Sequence, residues 1–233
     1  MAVMNELDLS GTAVARDSQG KPPWYYDTHD HDVISLLSTG PQSVILELGC
    51  GSGATGRAAL GAAKAGRYVG IEIDRASADI AKESLSEVLI GDVATLDLSR
   101  FHGSFDALVA SEVLEHLVDP WSVLRKLRCC LKPNAIVIAS SPNISHWQIV
   151  YNLLKGRFRY TEYGVMDSTH LRWFTPESYR SLFVDSGFEI EALRPIRRMR
   201  WKARFLNKMT GGRAAHLLMK QMMVIARPGP TRS

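Results

Sequence analysis

An apolar run, Val44-Ile45-Leu46-Glu47-Leu48, passes without a break into Gly49-Cys50-Gly51-Ser52-Gly53 and then into an alanine-rich stretch from Ala54. A short apolar run bounded by glycines reads as a strand buried on both faces, and such strands belong to parallel sheets covered by helices. Glycine admits left-handed backbone and lets a ligand approach the chain more closely than any Cβ would allow, while the following helix presents unpaired N–H groups. The turn therefore marks a site for a nucleoside-bearing cofactor. Which cofactor stays open at this point, because Gly49-x-Gly51-x-x-Ala54 and Gly51-x-Gly53-x-x-Gly56 both fit the dinucleotide fingerprint.

The remaining chain alternates strand and helix patterns. Asp30 to Leu37 reads as a helix, followed by strand Val44 to Leu48, helix Ala54 to Ala65, strand Tyr68 to Ile73, helix Arg75 to Ser84 and strand Val88 to Ile90. Strand Ala107 to Ala110 precedes a helix opened by Asp119 as N-cap and Pro120 in its first turn, which closes near Leu131. Strand Ala135 to Ala139, helix Pro176 to Ser186, strand Phe188 to Leu193 and a last strand near Met222 to Ala226 complete the order. This predicts an α/β fold, a doubly wound, mostly parallel sheet with helices on both faces. With 233 residues, 45% of them hydrophobic, the chain suits one domain over 24–233, and residues 1–23, aperiodic and polar, read as a mobile arm. No leader pattern or bilayer-length apolar run is visible, so a cytoplasmic protein is expected. The three cysteines form neither a disulfide framework nor metal-ligand spacing, and Cys50 is expected to pack as a small apolar residue under the glycine turn.

The second strand ends in Glu72, about 20 positions after the glycines, where a carboxylate can grip two ribose hydroxyls. A dinucleotide site and a nucleoside site both accept it. The third strand candidate ends in Gly91-Asp92-Val93, and a further strand-end acid is less usual for a dinucleotide. Together, Glu47-Leu48-Gly49-Cys50-Gly51-Ser52-Gly53, Gly70-Ile71-Glu72-Ile73-Asp74, Gly91-Asp92-Val93 and the run from Phe105 to Leu117 resemble, in order and spacing, the class I S-adenosylmethionine-dependent methyltransferases over roughly residues 24–227. The resemblance implies S-adenosylmethionine as cofactor and an antiparallel last strand. It implies that Gly49, Gly51 and Gly53 pass under the methionine and ribose, that Glu72 accepts from the ribose, that Asp92 and the backbone of Val93 read the adenine edge, and that Ser111 and Glu112 line the methionine. Glu47 either contacts the cofactor or holds the turn. Asp74 reads better as the N-cap of its helix than as a ligand.

Between Asn143 and Phe174 lies an insertion placed where a substrate lid belongs, with an aromatic and basic stretch from Trp147 to Tyr160. Its end, Thr169-His170-Leu171-Arg172-Trp173-Phe174-Thr175, is similar to a segment in bacterial class I methyltransferases of surface-glycan and secondary-metabolite pathways. The implied acceptor is a small molecule, anionic or sugar-linked, with oxygen preferred over nitrogen. An oxygen acceptor must lose a proton, and histidine suits that near neutral pH. His116, in the turn after the fourth strand, and His170, in the lid, are the catalytic candidates, with a plain anchoring role as the alternative for His170. Glu112-x-x-Glu115-His116 differs from His-Glu-x-x-His in ligand type and spacing, so no metal is expected. The net charge of +4 is uneven: Arg194, Arg197, Arg198, Arg200, Lys202, Arg204 and Lys208 crowd one segment. Such a segment can meet a membrane surface or an anionic substrate, or simply face solvent. No nucleic-acid module accompanies it, which makes nucleic acid an unlikely partner, and nothing in the sequence speaks to oligomeric state. The competing functions are an NAD(P)-dependent oxidoreductase and a catalytically silent cofactor-binding protein.

Overall fold

The computed structural model describes residues 31–196 and 201–230. The expected arm over 1–23, the start of the fold near Trp24, and Arg197, Arg198 and Arg200 lie outside these residues. Seven strands among the described residues form one sheet: β1 Val44–Leu48, β2 Arg67–Glu72, β3 Glu87–Ile90, β4 Phe105–Ser111, β5 Leu131–Pro142, β6 Phe188–Pro195 and β7 Gln221–Pro228, in the order β3-β2-β1-β4-β5-β7-β6. The described helices are α1 His31–Leu36, α2 Ala54–Gly61, α3 Arg75–Ala81, α4 Pro120–Cys130, α5 Trp147–Leu154, α6 Pro176–Asp185, α7 Trp201–Met209 and α8 Ala215–Leu218. Among them no helix is long and apolar enough to cross a membrane.

Successive strand side chains point to opposite faces, so each strand feeds two cores. Leu46, Leu48, Val69, Ile71 and Leu108 pack on one face with Leu124 and Leu127 of α4 and Leu182 and Phe183 of α6. Their neighbours Ile45, Tyr68, Ala107 and Val109 pack on the other with Val33, Leu37, Ala59 and Cys50. The helix starts follow local chemistry. Asp74 accepts from Ser77 N at 2.8 Å, Asp119 accepts from Ser122 N at 3.1 Å ahead of Pro120, and Thr175 and Ser178 close a capping box around Pro176.

Several boundaries move for reasons that lie elsewhere in the chain. Helix α2 stops at Gly61 rather than Ala65, because Ala63 turns left-handed (φ 53) and Gly66 N then bonds Ser43 O as the chain enters β2. Helix α3 stops at Ala81 rather than Ser84, and the turn beyond it brings Leu85 against Gly53 and Gly56. Strand β5 outruns its expected span at both ends: Leu131 pairs with Phe105, and Ser140, Ser141 and Pro142 pair with Met223, Met222 and Gln221. The last strand, β7, lies antiparallel to both β5 and β6. Between β1 and β4 the strand order reverses direction, which opens a crevice at their carboxyl ends, the place where open α/β sheets bind ligands.

Candidate active site

The glycine turn after β1 has the backbone that only glycine adopts easily: Gly49, Gly51 and Gly53 sit at φ 69, 52 and 82. A Cβ on Gly49 would come within 2.9 Å of Val113 Cγ2, so the turn lies directly against the loop that follows β4. Glu72, at the end of β2, reaches into this turn. Its Oε2 accepts from Gly51 N at 2.8 Å and its Oε1 from Asp74 N at 2.9 Å. Burial raises its carboxyl above the ordinary range and the backbone N–H groups pull it back down. Each oxygen retains a second acceptor site, so the bonds that orient the carboxylate leave it able to take two hydroxyls.

Asp92 is exposed at the end of β3, with its Oδ1 accepting from Ala94 N at 2.8 Å, and Val93 is buried beside it. Lys126 of α4 ties this loop down by donating to the carbonyls of Val93 at 2.8 Å, Ala94 at 3.1 Å and Leu96. Glu47 is buried on the face that carries Tyr68 and Cys50, beneath the turn. Cys50 fills the space that Gly70 leaves open, where a Cβ would meet its Sγ at 2.4 Å.

On the other side of the crevice, Ser111 ends β4 and Glu112 is held at φ 52, a left-handed conformation that costs a non-glycine residue about 1–3 kcal/mol. Its N–H donates to Ser140 O and Oγ at 3.2 Å, and its Oε2 accepts from Gln221 Nε2 at 3.0 Å. The next turn, Leu114–His116, brings His116 against His170, with ring centroids 4.8 Å apart in an edge-on arrangement. His116 Nδ1 lies 3.1 Å from Thr169 O and 3.2 Å from Thr169 Oγ1, while that hydroxyl gives its own proton to Asp167 Oδ1 at 2.8 Å. Both Thr169 oxygens can therefore only accept, and Nδ1 carries the ring proton. His170 is buried with Nδ1 3.2 Å from Val165 O, which makes Nδ1 its donor as well. Between the histidines and the sheet lies Glu115, 1% exposed. Burial, and then the charges of Glu112 and Asp167, push its carboxyl well above the usual range, with the Ser141 hydroxyl a small counterweight. The carbonyl of Glu115 accepts from Leu171 N and Arg172 N at 2.9 Å, which fastens the end of the 143–174 segment to this loop.

A family profile described as a methyltransferase domain matches residues 24–193, most of the chain. The chain belongs to the class I S-adenosylmethionine-dependent methyltransferases. Among its relatives is a ubiquinone biosynthesis O-methyltransferase of Chromobacterium violaceum, 30% identical over 133 residues, which is 55% of this chain and 56% of that one. The chain thus spans about half the length of the curated relatives it matches. The fold is also that of a methyltransferase from Archaeoglobus fulgidus, with TM-score 0.59 at 15% identity over 79% of this chain and 86% of that one. A methyltransferase from Mesorhizobium loti gives TM-score 0.58 at 17% identity over 84% and 95%. The oxidoreductase alternative left open by the glycine pattern falls with the family match.

In this methyltransferase the strand-end residues singled out from the sequence converge on one crevice. Glu72 meets the glycine turn, Glu112 follows Ser111 across from it, and His116 and His170 meet although they are distant in the chain. Asp74 is the helix cap it was expected to be. Sequence reasoning met Glu115 only as part of a spacing that is not a zinc motif, and passed over Lys126, Gln221 and Tyr179, whose hydroxyl donates to Ser140 O at 3.0 Å. Each does its work through a contact distant in sequence, and nothing local to any of them signals it.

Proposed function

We propose that this chain transfers a methyl group from S-adenosylmethionine to an oxygen of a small-molecule acceptor in the cytosol. The carrying observation is the meeting of His116, on the loop whose Val113 lies over Gly49, with His170 of the 143–174 segment. Bound S-adenosylmethionine supplies an electrophilic methyl on a sulfonium, open to in-line displacement by a lone pair. The cradle fits that group: the left-handed glycines give a bare backbone floor, Glu72 offers its two remaining acceptor sites to the ribose, Asp92 and the Val93 N–H face the adenine edge, and Ser111 and Glu112 line the methionine. Positioning of the acceptor within about 3–3.5 Å of the methyl can supply roughly 7–11 kcal/mol of the barrier. With Nδ1 committed to Thr169, His116 presents Nε2 as the lone pair that takes the hydroxyl proton, a contribution of about 10² to 10⁴-fold. His170 holds the imidazole pair and the lid end in place.

The 143–174 segment serves as the acceptor lid. Ile149, Leu153, Phe158 and Met166 line a groove in it together with Arg157 and Arg159, so apolar walls carry two guanidinium groups suited to an anionic or sugar-linked acceptor. Calorimetry with S-adenosylmethionine, S-adenosylhomocysteine and NAD, followed by turnover on matched hydroxyl and amine acceptors, tests the reading. We expect both sulfur ligands to bind, NAD to be ignored, and product to carry its methyl on oxygen. Methylation confined to nitrogen, or cofactor binding with no turnover on any acceptor, would overturn it.

A further inference from the structure

We infer that Glu115, His116 and His170 form a binding site for a divalent cation of the first transition row. One ligand atom of each lies within 4.8 Å of those of the other two. A cation at about 2.0–2.2 Å from each ligand in tetrahedral geometry would hold them about 3.3–3.6 Å apart, so the side chains must close in by up to about 1.5 Å to complete the site.

The carboxylate makes the strongest argument. Glu115 is 1% exposed, and neither of its oxygens has a hydrogen-bond partner of good geometry; the Ser141 hydroxyl lies near enough to favour the charge slightly but falls short of a well-formed bond. Buried carboxylates are ordinarily paired or bound to a metal. Glu112 and Asp167 add two more carboxyl groups beside it, an acidic surrounding that favours a cation.

The histidines are prepared for the same ligand. A metal-binding imidazole donates its other N–H to a carbonyl or carboxylate, which sets its tautomer and its direction. Here His116 Nδ1 donates to Thr169 O and His170 Nδ1 to Val165 O, and Asp167 stands behind the first through Thr169. In both rings Nε2 is then the nitrogen with a lone pair to coordinate. Two imidazoles and one carboxylate favour zinc, manganese, iron or cobalt over calcium, and three protein ligands leave positions open for another oxygen. The sequence holds no His-Glu-x-x-His pair because the third ligand arrives from the lid, fixed by the bonds of Leu171 N and Arg172 N to Glu115 O. A cation at this place departs from the expectation of no metal. For its chemical role the inference rests on the methyltransferase reading: a cation there would make a coordinated acceptor hydroxyl more acidic, so that its proton could pass to solvent, and His116 Nε2, the proton acceptor while the site is empty, would serve as a ligand once it is filled.

The test uses the full chain stripped with chelator and titrated with Co²⁺ alone, read by visible ligand-field absorption and by metal analysis after gel filtration. We expect about one cation per chain. Glu115→Gln, His116→Gln and His170→Gln should each weaken it by at least about 100-fold, since even the outer partners of metal ligands are worth 10–100-fold. Glu177→Gln, exposed on α6, should leave it unchanged. Melting temperatures of the stripped proteins report folding; Glu115→Gln keeps the shape of the buried side chain and should fold, and the half-buried His116 provides a second folded variant. Absence of stoichiometric Co²⁺ uptake, or wild-type spectra in both Glu115→Gln and His116→Gln, overturns the site. S-adenosylmethionine calorimetry on the same stripped protein separates the two readings: cofactor binding without cation uptake refutes the metal alone, and cation uptake without cofactor binding refutes the methyltransferase reading alone.

Discussion

Glu72 braces the glycine turn through Gly51 N and Asp74 N, and in the function we propose the same carboxylate also accepts from a ribose. Removing a charge-assisted contact costs roughly 1.5–3 kcal/mol, so Glu72→Ala should weaken S-adenosylmethionine at least about tenfold by calorimetry. Asp74, two residues on, only caps α3. Asp74→Ala should therefore lower unfolding free energy by about 0.5–2 kcal/mol and leave cofactor affinity close to wild type. Equal binding losses in the two variants would show the roles to be misassigned. The cysteines permit a second check at this scale. Burial, with Glu47 and Glu72 nearby, pushes the Cys50 thiol far above its ordinary range, and burial pushes Cys130 up to about 11, whereas Cys129 is exposed. A disulfide reagent at pH 8 should titrate one thiol in the folded protein and three after denaturation; rapid reaction of two or more would mean the glycine turn or α4 opens readily.

Helices were legible where their signals are local. Asp74, Asp119 and Thr175 each bond a backbone N–H three residues on, and a reader of the sequence meets both partners together. Strand β5 is the opposite case: Ser140-Ser141-Pro142 looks like a loop and is a strand because Met222, Met223 and Gln221 pair with it from the far end of the chain. His116 and His170 were legible singly, but their meeting was not, since it depends on the 143–174 segment folding back onto Glu115. Helix α5 presents Trp147, Tyr151 and Leu154 to solvent, and every residue from Tyr151 to Tyr160 is exposed. Backbone so placed should be cut early by protease in the free protein and be protected when cofactor and acceptor are bound together. Identical cleavage rates in both states would remove the lid role.

Across the whole molecule, the function we propose divides the crevice, with the β1–β3 side holding the nucleoside and the β4–β5 side handling the acceptor. His116→Ala should accordingly lower kcat by about 10² to 10⁴-fold while S-adenosylmethionine affinity holds, and His170→Ala should raise the acceptor KM. If cofactor affinity falls in step with kcat in either variant, the two sides are not separable.

The position of β7 also sets an order of events during synthesis. Although it is the last strand described in the chain, β7 lies between β5 and β6 and joins them. While the ribosome adds the residues after β6, on the order of a second or more at about 5–20 residues per second, β5 has an open edge and β6 has no neighbour. Open edges of this kind template association with other chains, so the nascent protein is most exposed to mispairing in that interval. Glu112 bonds Ser140 near the end of β5 and Gln221 at the start of β7, so the β4–β5 side of the crevice takes shape after the β1–β3 side, once translation has delivered the seventh strand.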